Sequence, residues 1–293
     1  MASYSIRDLE DLSGIKAHTI RIWEKRYGIV VPERTSTNIR LYSDNDLKKL
    51  LNISILNRNG LKISYLSKLS TNELKEKVIH ISRETSDSST QIENLIISML
   101  ELDEWKFDKI LSDSIIRIGF EETLVQIMHP FFEKIGLLWQ TGSINPAQEH
   151  FVSNLMRQKL IVAIDGQAPA LKEAHATFIL FLHENELHEL GLLFYSYILK
   201  KKGVKVIYLG QTVPFDDLKI INRIQKADYM LTSFTTGISE SYLKNYLEKI
   251  AQTFPSQTIF FTGYQVREID GNLPSNLVKV ESVTHFQNIL KTI

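Results

Sequence analysis

The chain has 293 residues, 43% of them hydrophobic, with 34 Lys and Arg against 34 Asp and Glu. That length suggests two or three domains, and no stretch approaches the roughly 18 unbroken apolar residues of a membrane span. The absence of Cys excludes disulfides, thiolate metal sites and Cys nucleophiles, and the opening Met-Ala-Ser-Tyr-Ser-Ile-Arg-Asp lacks a signal-peptide pattern; a cytoplasmic protein with no membrane partner is expected. The zero net charge hides an asymmetry. Residues 1–80 hold 14 Lys and Arg against 9 Asp and Glu, and the remainder reverses the balance. A basic first module on a mildly acidic body suggests a nucleic-acid partner for the first part only.

In residues 4–30 the spacing predicts two short helices. Ile6, Leu9 and Leu12 line one face of the first, and Ser13-Gly14 supplies a turn. In the second, Ile20, Trp23 and Tyr27 recur at i, i+3, i+7, and the opposite face carries His18, Arg21 and Lys25 at the same spacing. A helix pair with a Gly turn and a basic outer face describes a helix-turn-helix. Arg34 to Tyr42 then reads as a β-hairpin wing with two Arg and one Tyr.

Residues 81–90 are polar and Ser/Thr-rich, a boundary pattern. Four apolar stripes follow at helical spacing. They are Ile92, Leu95, Ile96, Met99 and Leu100; Phe107, Ile110, Leu111, Ile115 and Ile116; Leu124, Ile127, Met128 and Phe131; and Phe151, Leu155, Leu160 and Ile161. Together they predict a four-helix bundle. From 174 the texture changes to short apolar runs, at 174–182, 205–209, 229–234, 258–263 and 278–282, alternating with helical stretches. That rhythm predicts an α/β doubly wound, Rossmann-like parallel sheet. The expected division is a winged-helix module at 1–80, the bundle at 91–170 and the α/β domain at 171–293.

The run Thr19-Ile-Arg-Ile-Trp-Glu-Lys-Arg-Tyr27, with Pro32, Arg34, Asn38, Arg40 and Tyr42 after it, resembles the winged-helix domain of MerR-family regulators over about residues 4–75. The resemblance implies DNA contacts from Arg21, Arg26, Tyr27, Arg34, Arg40 and Tyr42, beside the basic-face residues His18 and Lys25, with Trp23 in the core. It also implies a dimer on a repeated double-stranded operator, inverted or direct.

After the first predicted strand, Glu186-Leu-His188-Glu-Leu-Gly191 reads E-x-H-x-x-G. Its position, at the carboxyl end of a strand in a doubly wound sheet, is where such folds bind ligands. One His is too few for zinc; a single imidazole with a carboxylate behind it suits a metal already held by a macrocycle. The spacing continues with 41 residues to Ser233-Phe234-Thr235 and 27 more to Gly263-Tyr264. It resembles the pattern of cobalamin-binding domains, and Leu209-Gly210 with Pro214 resembles their L-G-x-x-x-P turn. The resemblance implies His188 as the lower axial cobalt ligand and Glu186 as its hydrogen-bonding partner. Gly191 completes the motif, and Ser233, Thr235, Gly263 and Tyr264 fall at the slot for the nucleotide tail. Two positions depart from the family pattern: Thr235 stands for Leu and Tyr264 for Gly.

In the bundle, Trp139, Glu149 and His150 resemble the W-x9-E-H signature of the light-sensing, CarH/LitR-type branch of MerR-family repressors. There the Trp packs over the upper axial group, and the Glu and His contact an adenosyl group. The cofactor implied is adenosylcobalamin, with methylcobalamin as the alternative. A His that follows the Trp in light-sensing members is Gln140 here. The implied protein is not an enzyme. It is a repressor whose oligomerisation, as dimer or tetramer, and operator binding follow the cofactor and light, controlling carotenoid or photoprotection genes. Two rival readings are a cofactor-free MerR-type repressor answering to an antagonist protein, and a corrinoid carrier subunit. No Ser-His-Asp order, Gly-rich phosphate loop or catalytic carboxylate pair supports turnover.

Overall fold

A computed structural model describes residues 3–35, 38–84, 87–140, 144–167, 176–267, 269 and 273–293, with the side chains of 79, 82–84 and 137–140 outside the description. The chain divides into two compact units, Met1–Leu155 and Met156–Ile293. The division falls within the last of the four predicted bundle helices.

The first unit opens with strand β1 (Ser3–Tyr4) and helix α1 (Ile6–Ser13). Ser5 starts α1 with a capping box closed by Asp8, and Gly14, at φ 70°, ends it. A Gly is suited there because a left-handed residue costs it little. Helix α2 (Ala17–Tyr27) ends the same way at Gly28, φ 61°. Leu9, Leu12, Ile20 and Trp23 are buried, so the two helices pack through the predicted faces. The wing is a three-stranded antiparallel sheet in which β3 (Arg40–Ser43) lies between β1 and β2 (Glu33–Arg34), with Arg34 opposite Arg40. Helix α3 (Asp44–Arg58), capped by Ser43 and Asp46, closes the module with its buried Leu47, Leu50 and Leu51. The short α4 (Ile63–Leu66) and α5 (Thr71–Glu84) follow.

Residues 81–84 finish α5, and Asp87 caps α6 (Ser88–Glu101). The polar stretch at 81–90 is thus mostly helix end and helix start; residues 85–86 lie outside the described residues. Helix α6 is buried on all sides, including Glu93, Asn94 and Ser98 as well as the predicted stripe. It is enclosed by α3, by α7 (Glu104–Ile118) and by the long segment 120–140, so a one-faced pattern understates its burial. That segment comprises α8 (Phe120–Thr123), a π turn at Leu124–Met128 and α9 (His129–Gln140). Pro130 has no N–H for the helical ladder, and the turn before it widens so that His129 N–H donates to the Leu124 carbonyl. Helix α10 (Pro146–Asp165) completes four helical spans.

Two predicted stripes are corrected. On α7 the buried positions are Phe107, Leu111 and Ser114, while Ile116 is 83% exposed. On α10 the buried line is Val152, Met156 and Leu160 at four-residue spacing, with Ile161 half-exposed. Each helical residue turns the side chain by about 100°, so a stripe shifted by one residue faces a different way.

The second unit alternates strand and helix: β4 (Thr177–Phe181), α11 (Leu190–Lys201), β5 (Lys205–Gly210), α12 (Phe215–Ile224), β6 (Tyr229–Ser233), α13 (Glu240–Thr253), β7 (Thr258–Thr262), β8 (Leu277–Lys279) and α14 (Val283–Ile289). The five strands are parallel in the order β5-β4-β6-β7-β8, the doubly wound sheet that the pattern predicts. Residues 174–175 of the first predicted strand lie outside the described residues. Phe178, Ile179, Leu180 and Phe181 of β4 are fully buried, as a central strand covered on both faces requires. The Phe178 ring stacks on Tyr229 at 4.7 Å. The winding reverses between β4 and β6, so the loops at the carboxyl ends of these two strands flank the switch point.

Directly after β7, Gly263 sits at φ +111° with its backbone against Phe234; a Cβ there meets the Phe234 carbonyl at 2.3 Å. Gly263→Ala is therefore expected to lower unfolding free energy by about 2 kcal/mol or more. Urea unfolding of the two proteins measures this, and equal midpoints would contradict the close approach.

Candidate functional site

The loop after β4 is braced before any functional group is considered. Leu182 N–H donates to the Gly210 carbonyl, and Val213 N–H to the Leu182 carbonyl. Gln211 Nε2 donates to the Leu187 carbonyl at 2.6 Å. Asn185 takes a left-handed φ of 68°, and Glu186 N–H closes a turn onto the His183 carbonyl. That turn points Glu186 inward, where it is fully buried.

The Glu186 carboxylate collects donors from two loops. From its own loop, His188 N–H donates to Oε1 at 3.0 Å, and His188 Nδ1 lies 2.7 Å from the same oxygen. From the loop after β6, the Thr235 and Thr236 N–H groups each donate to Oε2 at 2.7 Å, and the Thr236 hydroxyl to Oε1 at 2.8 Å. Burial pushes this carboxyl up. The hydrogen bonds from His188 and from the Thr236 and Thr235 amides outweigh that and hold it well below the usual carboxylate range.

His188 itself is 61% exposed at the side chain. An imidazole that gives its Nδ1 proton to a carboxylate carries its lone pair on Nε2, the arrangement of a metal-ligating His. Among the described residues no group of three His, Asp or Glu is placed to hold an ion, so the donor set is one imidazole. It fits a metal whose other ligands come with it, as in a corrin. His183, three residues before Glu186, behaves differently. His183 is buried, stacks on Phe234 at 5.0 Å and has Nδ1 2.8 Å from the Glu184 carbonyl; desolvation lowers its pKa.

The remaining predicted tail-slot residues converge on the same end of the sheet. Gly191 is in the first turn of α11, Ser233 ends β6 and is buried, and Gly263 packs against Phe234. Thr235 serves the carboxylate through its backbone, which any residue at that position supplies. Tyr264 is 56% exposed, with the Arg267 guanidinium 5.3 Å from its ring centroid. Two features escaped the sequence reading. One is the Thr236 hydroxyl, which is also 3.2 Å from His188 Nδ1. The other is Glu189, which accepts from Tyr208 at 2.9 Å and pairs with Arg157 of α10. Neither follows a motif; both pairings join residues far apart in sequence.

Of the residues predicted to meet an adenosyl group, Glu149 accepts from the Ser153 hydroxyl and lies 3.7 Å from the exposed His150. Trp139 is in α9, and its side chain and that of Gln140 lie outside the described ones.

In the first unit, His18, Arg21, Lys25 and Arg26 are exposed on α2, and Arg34 on the wing. Arg26 lies over the half-buried Tyr27 at 5.3 Å. Two predicted DNA contacts also engage α2. Tyr42 is buried, and its hydroxyl donates to Glu24 at 3.3 Å. Burial, with Glu24 nearby, pushes that hydroxyl up to about 12, so it remains a neutral donor. Arg40 Nε donates to Glu24 at 3.1 Å. Because Glu24 belongs to α2, these two residues lock the wing to the outer helix, a role visible only once both elements are folded.

Comparison with known proteins agrees with both halves. Residues 4–73 match the MerR HTH family regulatory protein model, and residues 91–163 match the B12 binding domain model. The chain is 26% identical over 259 residues to the HTH-type transcriptional repressor CarH of Myxococcus xanthus, covering 86% of each chain. It is 25% identical to the repressor CarA of the same organism, covering 90% of this chain and 87% of CarA. Among solved structures, the monomethylamine corrinoid protein of Methanosarcina barkeri aligns with a TM-score of 0.54 and 14% identity, over 71% of this chain and all of that one; this shows a shared fold. The relatives are regulators rather than enzymes, and no described helix is long and apolar enough to cross a membrane. The chain belongs to the MerR family of HTH-type regulators, carries a match to the B12 binding domain after its HTH module in sequence, and is similar to the CarH and CarA repressors over most of its length.

Proposed function

We propose that this protein is a transcriptional repressor whose grip on operator DNA is set by adenosylcobalamin and by light. The observation that carries the reading is the Glu186–His188 pair, presented at the switch point of the sheet by a chain with a basic, exposed α2. The CarH and CarA repressors, similar over most of the chain, support the regulatory part.

In this reading His188 Nε2 holds cobalt from below, and Glu186 with Thr236 keeps its ring oriented and Nδ1 protonated. Ser233, Thr235, Gly263 and Tyr264 line the nucleotide-tail slot, and Gly191 completes the His188 motif; the solvent-facing Tyr264 and the backbone-only role of Thr235 favour retention despite the departures from the family pattern. Trp139, Glu149 and His150 are the residues that the resemblance to the CarH/LitR-type branch assigns to the adenosyl group. When bound, the cofactor supplies a cobalt–carbon bond that green light can break. The bound form favours an assembled dimer or tetramer spanning several half-sites, a population shift driven by differential affinity. His18, Arg21, Lys25, Arg26, Tyr27 and Arg34 face the duplex, while Arg40 and Tyr42 act from behind through Glu24. The proposed targets are carotenoid or photoprotection genes in the cytoplasm, with an antagonist protein as a further input.

Gel filtration with adenosylcobalamin in the dark is expected to show corrin absorbance co-eluting with an oligomer that dissociates after green light. Co-elution without a light effect would remove the photoreceptor part, and no co-elution would remove the cofactor. His188→Ala is expected to abolish retention, and Glu186→Gln to weaken it by about 10–100-fold; wild-type retention in both would sink the ligand assignment. On DNA, Arg21→Ala is expected to lower affinity and reduce the slope of log affinity against log salt by about one unit. An unchanged salt slope would place Arg21 away from phosphate.

A further inference from the structure

Under the turn between α1 and α2 lies a polar cluster drawn from four helices of the first unit. Glu93, on α6, has its side chain only 2% exposed. Arg58 Nη2, on α3, donates to Glu93 Oε2 at 2.9 Å. The Ser54 hydroxyl, one turn earlier on α3, lies 3.3 Å from Glu93 Oε1 and 2.8 Å from the Ser13 carbonyl, a donor shared between them. Lys134 Nζ, on α9, donates to the Leu12 carbonyl at 2.9 Å, and its charge also acts on Glu93.

The membership of the cluster is informative. Leu12, Ser13, Ser54 and Arg58 fall within the part matched by the MerR family model, whereas Glu93 and Lys134 fall within the part matched by the B12 binding domain. The carbonyls of Leu12 and Ser13 are among those left unpaired at the end of α1. They enter the turn that sets the pitch of α2. The turn borders a cavity of about 290 Å³ lined by Gly14, Lys16, Thr19 and Trp23 together with Ser54 and Arg58.

We propose that Glu93 is a positioning residue of the DNA-reading module, contributed by the bundle. It holds the helix-turn-helix turn through Ser54, with Arg58 bracing the carboxylate, and together with Lys134 it makes the placement of α2 follow the packing of α6 and α9. A buried carboxylate is a costly way to join helices, and removing one partner is costlier than never having the pair. Its position between the two modules gives that cost a use. The charge on Glu93 is also poised to change. Burial pushes its carboxyl from 4.5 up to about 7, against Arg58, Lys134 and Ser54, which pull it down. Arg58 and Lys134 are the charged groups facing it, and Asp11 acts on Lys134 from α1. A carboxyl raised on folding holds its proton more tightly in the folded state. Its contribution is therefore full below 4.5 and is lost as pH rises toward 7.

The test uses the full-length chain and a duplex selected by it from a random pool. Hydrogen exchange over residues 13–27 and duplex affinity are measured for the wild type, Glu93→Ala, Glu93→Gln and Ser54→Ala. Glu93→Ala and Ser54→Ala are expected to speed exchange there and weaken DNA binding by about tenfold or more, with exchange in the sheet of the second unit unchanged. Glu93→Gln, which still accepts from Ser54 and Arg58, is expected to restore most of both. It should also remove the fall in thermal stability between pH 5 and about 7. Exchange and affinity within twofold of wild type for both Ala variants would overturn the proposal, as would Glu93→Gln behaving like Glu93→Ala. A further arm rests on the cobalamin reading. Adenosylcobalamin should alter exchange over 13–27 in the wild type but not in Lys134→Met, and an equal response in Lys134→Met would remove Lys134 from the coupling. If the wild type retains no corrin, the cofactor reading fails, and the Ala and Gln variants alone decide the role of Glu93.

Discussion

The candidate corrin site depends on one buried carboxylate. Glu186 takes five donor contacts, two from His188 and three from Thr235 and Thr236. It thereby ties the loop after β4 to the loop after β6, the two strands at which the sheet changes direction. Burying such a charge is unfavourable unless its lone pairs are filled; here they are, and the result is an imidazole held at one angle. The arrangement rests on strand register. Phe181 pairs with Thr232, which places Thr236 within reach of Glu186, and a slip of one residue would remove the hydroxyl and flip every side chain on β6.

The same device recurs in the first unit. Glu24 on α2 receives Arg40 and Tyr42 from the wing. Glu93 on α6 receives Arg58 and Ser54 from α3. In each case a carboxylate on one element gathers donors from another whose orientation matters. Apolar packing alone gives cohesion with little directional preference, whereas a short hydrogen bond fails when the angle changes. Helix α2 is thus tied to the wing through Glu24, and the turn before it is linked to Glu93 through Ser54.

The stretch 183–189, with two His and three Glu, separates into distinct roles on folding. His183 enters the aromatic core beside Phe234, Glu184 accepts from the Phe215 N–H at the start of α12, and Glu189 joins Tyr208 and Arg157. Only Glu186 and His188 form the pair facing the switch point. Composition made the cluster conspicuous, but the Asn185 turn and the burial of each side chain sorted it.

By itself the sequence determined the class of every module. The helix pair with its Gly stop, the parallel sheet and the order of the two are written in periods of 3.6 and 2 and in turn residues, which act over a few positions. The pairing of Glu186 with His188 was legible for the same reason, since only Leu187 separates them. What only the tertiary structure decided is everything that joins distant segments: Tyr42 and Arg40 turned inward to Glu24, Thr236 brought to Glu186 across 50 positions, Ile116 left in solvent, and Glu93 sealed beneath the DNA-reading turn. Those contacts follow from helix crossing and strand order. Local periodicity does not encode them, because the same apolar stripe can face any partner that the rest of the chain supplies.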